Sequence, residues 1–414
     1  MTALGLEAPT FEDVQLARER QAGYVERTPL LASPDLSALC GREVLLKLEN
    51  QQKTGAFKLR GAVAKLLAMR PAERGRGVVT ASAGNHGQGV ALAAKLLGVP
   101  ATVVLPVGAP LAKLTAIQRH GAEVLLEGTS YDEAHAFALG LAADRQQAYV
   151  HAFDDPHVIA GQGAVALEIL EDEPDLDALV VPIGGGGLIA GVAIAARHAR
   201  PGLHIYGVQA AGSPAVADAF RTGFLASGPA NTIADGIAVK APSARTFAVI
   251  QEHVRDVVTV EDAAIARAIL LLLERHKQLA EGAGAVALAA VLEGKIPASA
   301  RRVGAIVSGG NIDPNLLGKV LQHGMASAGR YLALRTWLDD QPGQLHALTG
   351  LLAEWRINIL HVGIHRLGPY TALGLVGLDL IVETRDRAHA DEVLERIRQA
   401  GYPAEEALGL TPPT

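Results

Sequence analysis

Cysteine is almost missing from this chain of 414 residues. The only one, Cys40, has no partner for an internal disulfide and no metal-ligand spacing around it. That excludes a disulfide-stapled scaffold and fits a reducing, cytoplasmic compartment. Long apolar runs are missing too: no stretch reaches the roughly 18 residues that a membrane-spanning helix needs. The first residues, Met1 to Val14, carry neither the basic flank nor the apolar core of an export signal. No excess of positive charge exists. Lys+Arg 37 against Asp+Glu 43 leaves −6, scattered along the chain, so the basic stripe that a phosphate backbone requires is absent. Neither nucleic acid nor a membrane is an expected partner. Aromatic residues make up only 4%.

What is abundant is small and apolar. Hydrophobic residues are 49% of the chain and glycines number 45, which excludes disorder and points to close helix-on-sheet packing with several backbone-defined loops. Short apolar runs at 44 to 48, 77 to 80, 101 to 106, 123 to 127, 178 to 183, 204 to 209, 256 to 260 and 302 to 308 read as buried strands. Ala/Leu-rich helical stretches, such as 85 to 97 and 187 to 199, lie between them. This α/β alternation predicts open, twisted, mostly parallel sheets with helices on both faces, and ligand contacts in the loops beyond the strands' carboxyl ends. After a small-residue stretch, 324 to 330, the pattern changes to strand 331 to 338, helix 343 to 355, strands 357 to 366 and 371 to 383, helix 387 to 400 and a short strand near 402 to 407. That is a separate βαββαβ unit, with Gly368-Pro369 as its hairpin turn and Asp340 to Gly343 as the break before its first helix.

Three loops carry chemistry. Gly184, Gly185, Gly186 and Gly187 follow an apolar strand and open a helix that continues through Leu188. Backbone N–H groups at a helix N-terminus suit a phosphate. The G-x-G-x-x-A spacing also raises a dinucleotide site, but such a site needs an acid at the end of the next strand, where this chain has Gln209. The second segment, LENQQKTGAFKLRGA, sets Lys58 among small residues and beside Phe57. A desolvated amine there would lose its proton readily and act as nucleophile or base, although a lone lysine is more commonly a solvated surface residue. The third, TASAGNHGQG, contains Ser82, Ala83, Gly84 and Asn85 at the start of a helix, suited either to capture of a carboxylate or to ordinary helix capping. Ser308 begins a similar loop, SGGN, again after a strand.

Taken in order, KTGAFKLRGA, TASAGNHGQG, IGGGGLIAG, ADGIAVK, EGAGAVALAA and SGGNID resemble the threonine ammonia-lyases of the tryptophan-synthase-β-like class of pyridoxal 5'-phosphate enzymes. The resemblance implies fold type II, a catalytic domain over 1 to 323 with a smaller subdomain of about 50 to 155 inserted in it, and a linker over 324 to 330. It implies Lys58 as the Schiff-base lysine, Phe57 and Gly236 on either face of the cofactor ring, Asn85 toward the ring hydroxyl and Ser308 toward the ring nitrogen. Gly184 to Leu188 form the phosphate cup, and Ser82 to Asn85 take the substrate carboxylate. The implied reaction is deamination of L-threonine to 2-oxobutanoate and ammonia, with L-serine as a second substrate and isoleucine as the downstream product. Alternatives are a serine or 3-hydroxyaspartate ammonia-lyase and, outside enzymes, an idle amino-acid-binding regulator.

Two departures matter. Serine racemases of this class place a second, proton-transferring serine where this chain has Ala83. They also hold a metal with acids in the stretch that here runs from Gln209 to Ala215 without a carboxylate, so no divalent metal is expected, while carbonyl oxygens remain available to a monovalent cation. The tail, residues 331 to 414, with DQPGQL and RINIL, resembles an ACT domain. That implies a branched-chain amino-acid effector near Asp340, Gly343, Leu345, Asn358 and Ile359, at the meeting of two copies in a homodimer or homotetramer. A tail that serves assembly alone is the alternative.

Overall fold

The structure is a computed structural model that describes residues 7–366 and 373–407. It forms two compact units, Met1–Ile312 and Asp313–Thr414. The Gly368-Pro369 turn lies outside the described residues. No helix among those described is long and apolar enough to cross a membrane.

The first unit contains two sheets. The larger runs Leu30–Ala32, Glu43–Leu48, Arg302–Val307, Ala178–Pro182, His204–Ala210, Asp256–Val260, parallel throughout except for Leu30–Ala32. The smaller runs Glu123–Leu126, Ala101–Leu105, Val78–Ala81, Ala148–Tyr149, all parallel. Every strand expected from an apolar run in this unit is present with ends shifted by one residue at most. Leu30–Ala32 and Ala148–Tyr149 were not expected, being too short to carry a periodic signal.

Two expected buried strands are not fully buried. Glu123–Leu126 has both ends exposed and Asp256–Val260 is only partly covered, because each lies at a sheet edge and lacks a neighbour on one side. The central strands justify their composition: all five residues of Ala178–Pro182 are buried, and the helix Gly282–Leu292, apolar all round, is buried with them. Glycine allows the close packing. A Cβ on Gly191 would stand 2.2 Å from the Ile159 carbonyl, so helices Pro156–Asp172 and Gly187–Ala199 touch backbone to backbone.

A buried ionic cluster joins the larger sheet to the helix Lys58–Ala68. Arg60, wholly buried two residues into that helix, donates to Glu49 (2.7 and 2.8 Å) and to Glu168 (2.7 and 2.9 Å). Lys47, also wholly buried, donates to Glu168 at 2.6 Å and to the Thr28 carbonyl at 2.7 Å. Two cations face two carboxylates, so the cluster is neutral. Burial alone would raise the Glu49 carboxyl, but the Arg60 guanidinium, with the Thr28 hydroxyl and Lys47, outweighs it and holds the group below its ordinary value.

The second unit begins with the helix Pro314–Ser327, capped by Asp313. Gly324 to Ser327, the start of the expected linker, are its last turn. A single glycine costs a helix only about 1 kcal/mol, and the chain leaves the helix at Ala328 and Gly329 instead. An antiparallel sheet follows, in the order Ile359–His365, Leu375–Glu383, Tyr331–Asp339, Ala404–Glu406, with helices Gln344–Glu354 and Arg387–Gln399. This is the expected βαββαβ pattern. Alternate residues of Tyr331–Asp339, including Leu332, Leu334 and Leu338, enter a core with Leu348, Leu352 and Ile397.

Removing one member of the buried cluster strands the others without a partner. Arg60→Ala is expected to lower stability by about 3–5 kcal/mol. Equilibrium urea unfolding of the variant and the parent chain checks this.

Candidate active site

The loops after strands Glu43–Leu48, Val78–Ala81, Ala148–Tyr149, Ala178–Pro182 and Arg302–Val307 converge, and contacts among them close a ring. Phe57 N–H donates to the Ser308 carbonyl at 3.1 Å, and Ala56 bridges Gly309. This stitches the start of the Lys58 helix to the end of a central strand. The Lys58 amine lies 5.0 Å from the centre of the Phe57 ring and donates to the Ala152 carbonyl at 2.9 Å. Phe153, the next residue, lies against the glycines: a Cβ on Gly185 would stand 2.3 Å from its ring, and one on Gly187 2.9 Å from its Cα. On the other side, a Cβ on Gly184 would stand 3.1 Å from Ile237 Cα and one on Gly236 3.6 Å from Glu281. A Cβ on Gly309 would stand 2.3 Å from Glu281 Oε1, which returns the ring to its start.

Sequence-expected residues therefore meet. Lys58, Phe57, Gly184 to Gly187, Gly236 and Ser308 all lie on this ring, and Asn85 joins it by donating to Glu281 at 2.6 Å and accepting from Asn311 at 2.8 Å. Leu188 is in the first turn of Gly187–Ala199 and packs into the core. Ser308 is buried, its hydroxyl donating to the Ala283 carbonyl at 3.1 Å. Neither Ser82 nor Asn85 caps the following helix: the cap is Gly84, with no side-chain bond, and Ser82 Oγ accepts from Gly84 N–H at 3.2 Å. Ala83, partly buried, packs against the apolar cluster of Ala91, Val103, Leu105 and Ile117. Gln209, at the position a dinucleotide-binding acid would occupy, is wholly buried and accepts from the N–H groups of Val216 and Ala217, both at 2.9 Å; it caps a helix.

The expected effector residues do not assemble within one copy. Asp340, Gly343 and Leu345 follow the end of Tyr331–Asp339, whereas Asn358 and Ile359 lie near its beginning, since Ile359 and Leu332 both pair with Val382. A strand of that length separates the two groups by about 20 Å.

Sequence reasoning assigned no role to Glu281. It heads the helix Gly282–Leu292, and an acid opening a wholly apolar helix is a signal that the carboxyl is buried with a purpose. It missed the loop His151 to Asp155 as well, which lacks glycine repeats or other punctuation.

Electrostatics single out two groups. Burial pulls the Lys58 amine down to about 8, only partly opposed by Glu281, so desolvation acts as the small-residue context predicts. Burial, with the nearby charge of Asp235, pushes the Glu281 carboxyl up to about 7. The helix Gly187–Ala199 begins on Gly186 in the left-handed region (φ +89°), without any side-chain cap, so its first-turn N–H groups are left for an anion. An uncapped helix N-terminus at the glycine loop and an amine of lowered basicity on the same ring of contacts fit a phosphorylated aldehyde cofactor.

Residues 22–309 match the family model of pyridoxal-phosphate dependent enzymes, and residues 333–401 match the ACT domain. The chain belongs to the pyridoxal-phosphate dependent enzyme family. Within it the chain stands with the threonine ammonia-lyases. The L-threonine ammonia-lyase of Thermotoga maritima is 44% identical over 394 residues, covering 95% of this chain and 98% of the relative. The L-threonine dehydratase catabolic TdcB of Escherichia coli K12 is 41% identical over 306 residues, 73% of this chain and 93% of its own. Among solved structures, the processed form of threonine deaminase isoform 2 from Solanum lycopersicum superposes with a TM-score of 0.72 at 35% identity, covering 77% of this chain and 95% of that one. Maize serine racemase gives 0.73 at 35%, covering 78% and 99%.

Because the neutral amine is the form that attacks an aldehyde, uptake of pyridoxal 5'-phosphate by the cofactor-free chain is expected to quicken as pH rises and to level off above about 8. Absorbance growth followed from pH 6.5 to 9.5 checks this; an unperturbed lysine would keep accelerating toward its ordinary value near 10.4.

Proposed function

We propose that the chain is a pyridoxal phosphate-dependent L-threonine ammonia-lyase yielding 2-oxobutanoate and ammonia, and that it also deaminates L-serine to pyruvate. The observation that carries this reading is the Lys58 amine, held by the Ala152 carbonyl beside the glycine loop and brought to about 8 by burial. When bound, the cofactor supplies an electron sink for charge developing at the substrate's α-carbon. Lys58 is in place to take the α-proton, because burial raises the share of its neutral form near neutrality far above that of a free lysine. Gly184 to Gly187 and the N-terminus of their helix hold the phosphate. Ser308 would set a neutral hydroxyl against the ring nitrogen, which would stabilise positive charge there less than an aspartate and so favour elimination over transamination. Asn85, fixed by Glu281 and Asn311, would hold the ring hydroxyl, and the Ser82 to Asn85 loop would receive the substrate carboxylate. An idle amino-acid binder would have no reason to keep a buried amine at lowered basicity.

Ala83 has no proton to transfer, so L-serine is expected to leave as pyruvate with little D-serine. Lys58→Ala is expected to fold yet to lose both the borohydride-reducible linkage and turnover. Reduction with borohydride, 2-oxo acid assay on threonine and chiral analysis of serine together check these outcomes; near-normal deamination by the variant would overturn the assignment of Lys58.

The reading extends to the cell. A place in the cytoplasm, on the way to isoleucine, suits this chemistry and the lone cysteine. The tail after residue 330 is a regulatory module. Two-fold antiparallel pairing of the edge strand Ile359–His365 with a second copy would set the Asn358 end of one strand beside the Asp340 end of the other, which requires a dimer at least and favours a homotetramer. Isoleucine or valine is therefore expected to shift the threonine saturation curve. Curves that coincide with and without each amino acid would leave the tail as an assembly module.

A further inference from the structure

The loop between Ala148–Tyr149 and Pro156–Asp172 touches both halves of the site, and one side chain holds it. His151 Nδ1 accepts from the backbone N–H of Asp154 at 2.9 Å and of Phe153 at 3.3 Å. Its ring meets the Phe153 ring edge-on, with centroids 4.7 Å apart. Between these anchors stands Ala152, whose carbonyl receives the Lys58 amine, and then Phe153, whose ring and backbone occupy the space left by Gly185 and Gly187. Asp154 continues the linkage through an ion pair with Arg245 at 2.5 Å, and the adjacent Thr246 donates to the Gly185 carbonyl at 2.8 Å.

We propose that His151 is a positioning residue: its unprotonated Nδ1 folds the loop so that the Ala152 carbonyl and Phe153 hold the lysine amine and the phosphate cradle in register. This rests on the reading of the site as a pyridoxal phosphate site. Both backbone donors need a lone pair on Nδ1, which fixes the remaining ring proton on Nε2 and makes the neutral imidazole the working form. The surroundings keep it neutral. Burial lowers the basicity of His151, as do His135 from the helix Tyr131–Asp144 and Lys58, while Asp154 and Asp155 in its own loop oppose them. Tyr149 stands edge-on at 6.2 Å, and His86, itself held at about 3 mainly by burial, adds no charge at neutrality. Acidification that protonates His151 would turn Nδ1 into a donor facing two donors and release the loop.

The test compares His151→Ala and His151→Asn in the full chain. An asparagine carbonyl can accept from the N–H groups two and three residues on, yet does not titrate. The expected result is an equilibrium dissociation constant for pyridoxal 5'-phosphate raised about tenfold or more in the alanine variant and returned to within about threefold of the parent by asparagine. Hydrogen exchange at the Phe153 and Asp154 amides of the cofactor-free chain should quicken in the alanine variant alone. As the pH falls below the ordinary imidazole value of about 6.5, the parent should lose affinity more steeply than the asparagine variant, in which Lys58 and Glu281 still titrate but position 151 does not. If the alanine variant fails to fold, the pH comparison of parent and asparagine variant decides. Unchanged affinity and exchange in the alanine variant, no rescue by asparagine, or identical pH profiles would each overturn the proposal while leaving Lys58 linkage to cofactor intact. A parent chain that forms no linkage at Lys58 would instead overturn the functional reading and the proposal with it.

Discussion

Everything at the site hangs on the buried Arg60 guanidinium. It reaches Glu49, just past a strand of the larger sheet, and Glu168, on a helix that crosses the helix after the glycine loop backbone to backbone. Arg60 lies two residues after Lys58, so the lysine inherits the precision of that anchor. Such a cluster is a poor source of net stability, because desolvation offsets most of the attraction, but its bidentate geometry admits few alternative registers. Sliding the helix by one residue would strand a charge in the core. The energy spent on burying these four groups is the cost of placing one amine.

Around that amine the structure works by close approach. Phe153 can lie against the glycine loop only because Gly185 and Gly187 have no side chains, and Gly309 can pass Glu281 for the same reason. Exclusion of water then shifts both titratable groups toward neutrality, Lys58 downward and Glu281 upward, so that they differ by far less than a free lysine and glutamate. Asn85 binds Glu281 directly, which ties this carboxyl to the loop that opens the following helix. One cause, desolvation, thus serves both acid–base readiness and anion binding at an uncapped helix.

The second unit follows a different logic. Its sheet is antiparallel, with one strand, Ile359–His365, exposed along an edge and carrying Leu360, Val362 and Ile364 at the surface. An edge of this kind is incomplete as a surface.

Much of this was legible in the order of residues. Strands surrounded by apolar neighbours announce themselves by composition, so the central sheet, the helices beginning at Asn85 and Gly187, and the βαββαβ tail could be placed without coordinates. The glycine loop and Lys58 were visible because their residue types are costly without a purpose. What pattern misjudged was burial at sheet edges, since an apolar run carries no record of its neighbours, and the helix through Gly324, since one glycine is a weak breaker. Only the tertiary structure decided the rest. It brought Glu281 to Asn85 from 196 positions away and the Ala152 carbonyl to Lys58 from 94. It also turned Gln209 from a vacant dinucleotide position into a helix cap. The physical reason is common to all three: a pKa, a hydrogen bond or a cap depends on which distant groups exclude water beside it, and that is a property of packing rather than of local sequence.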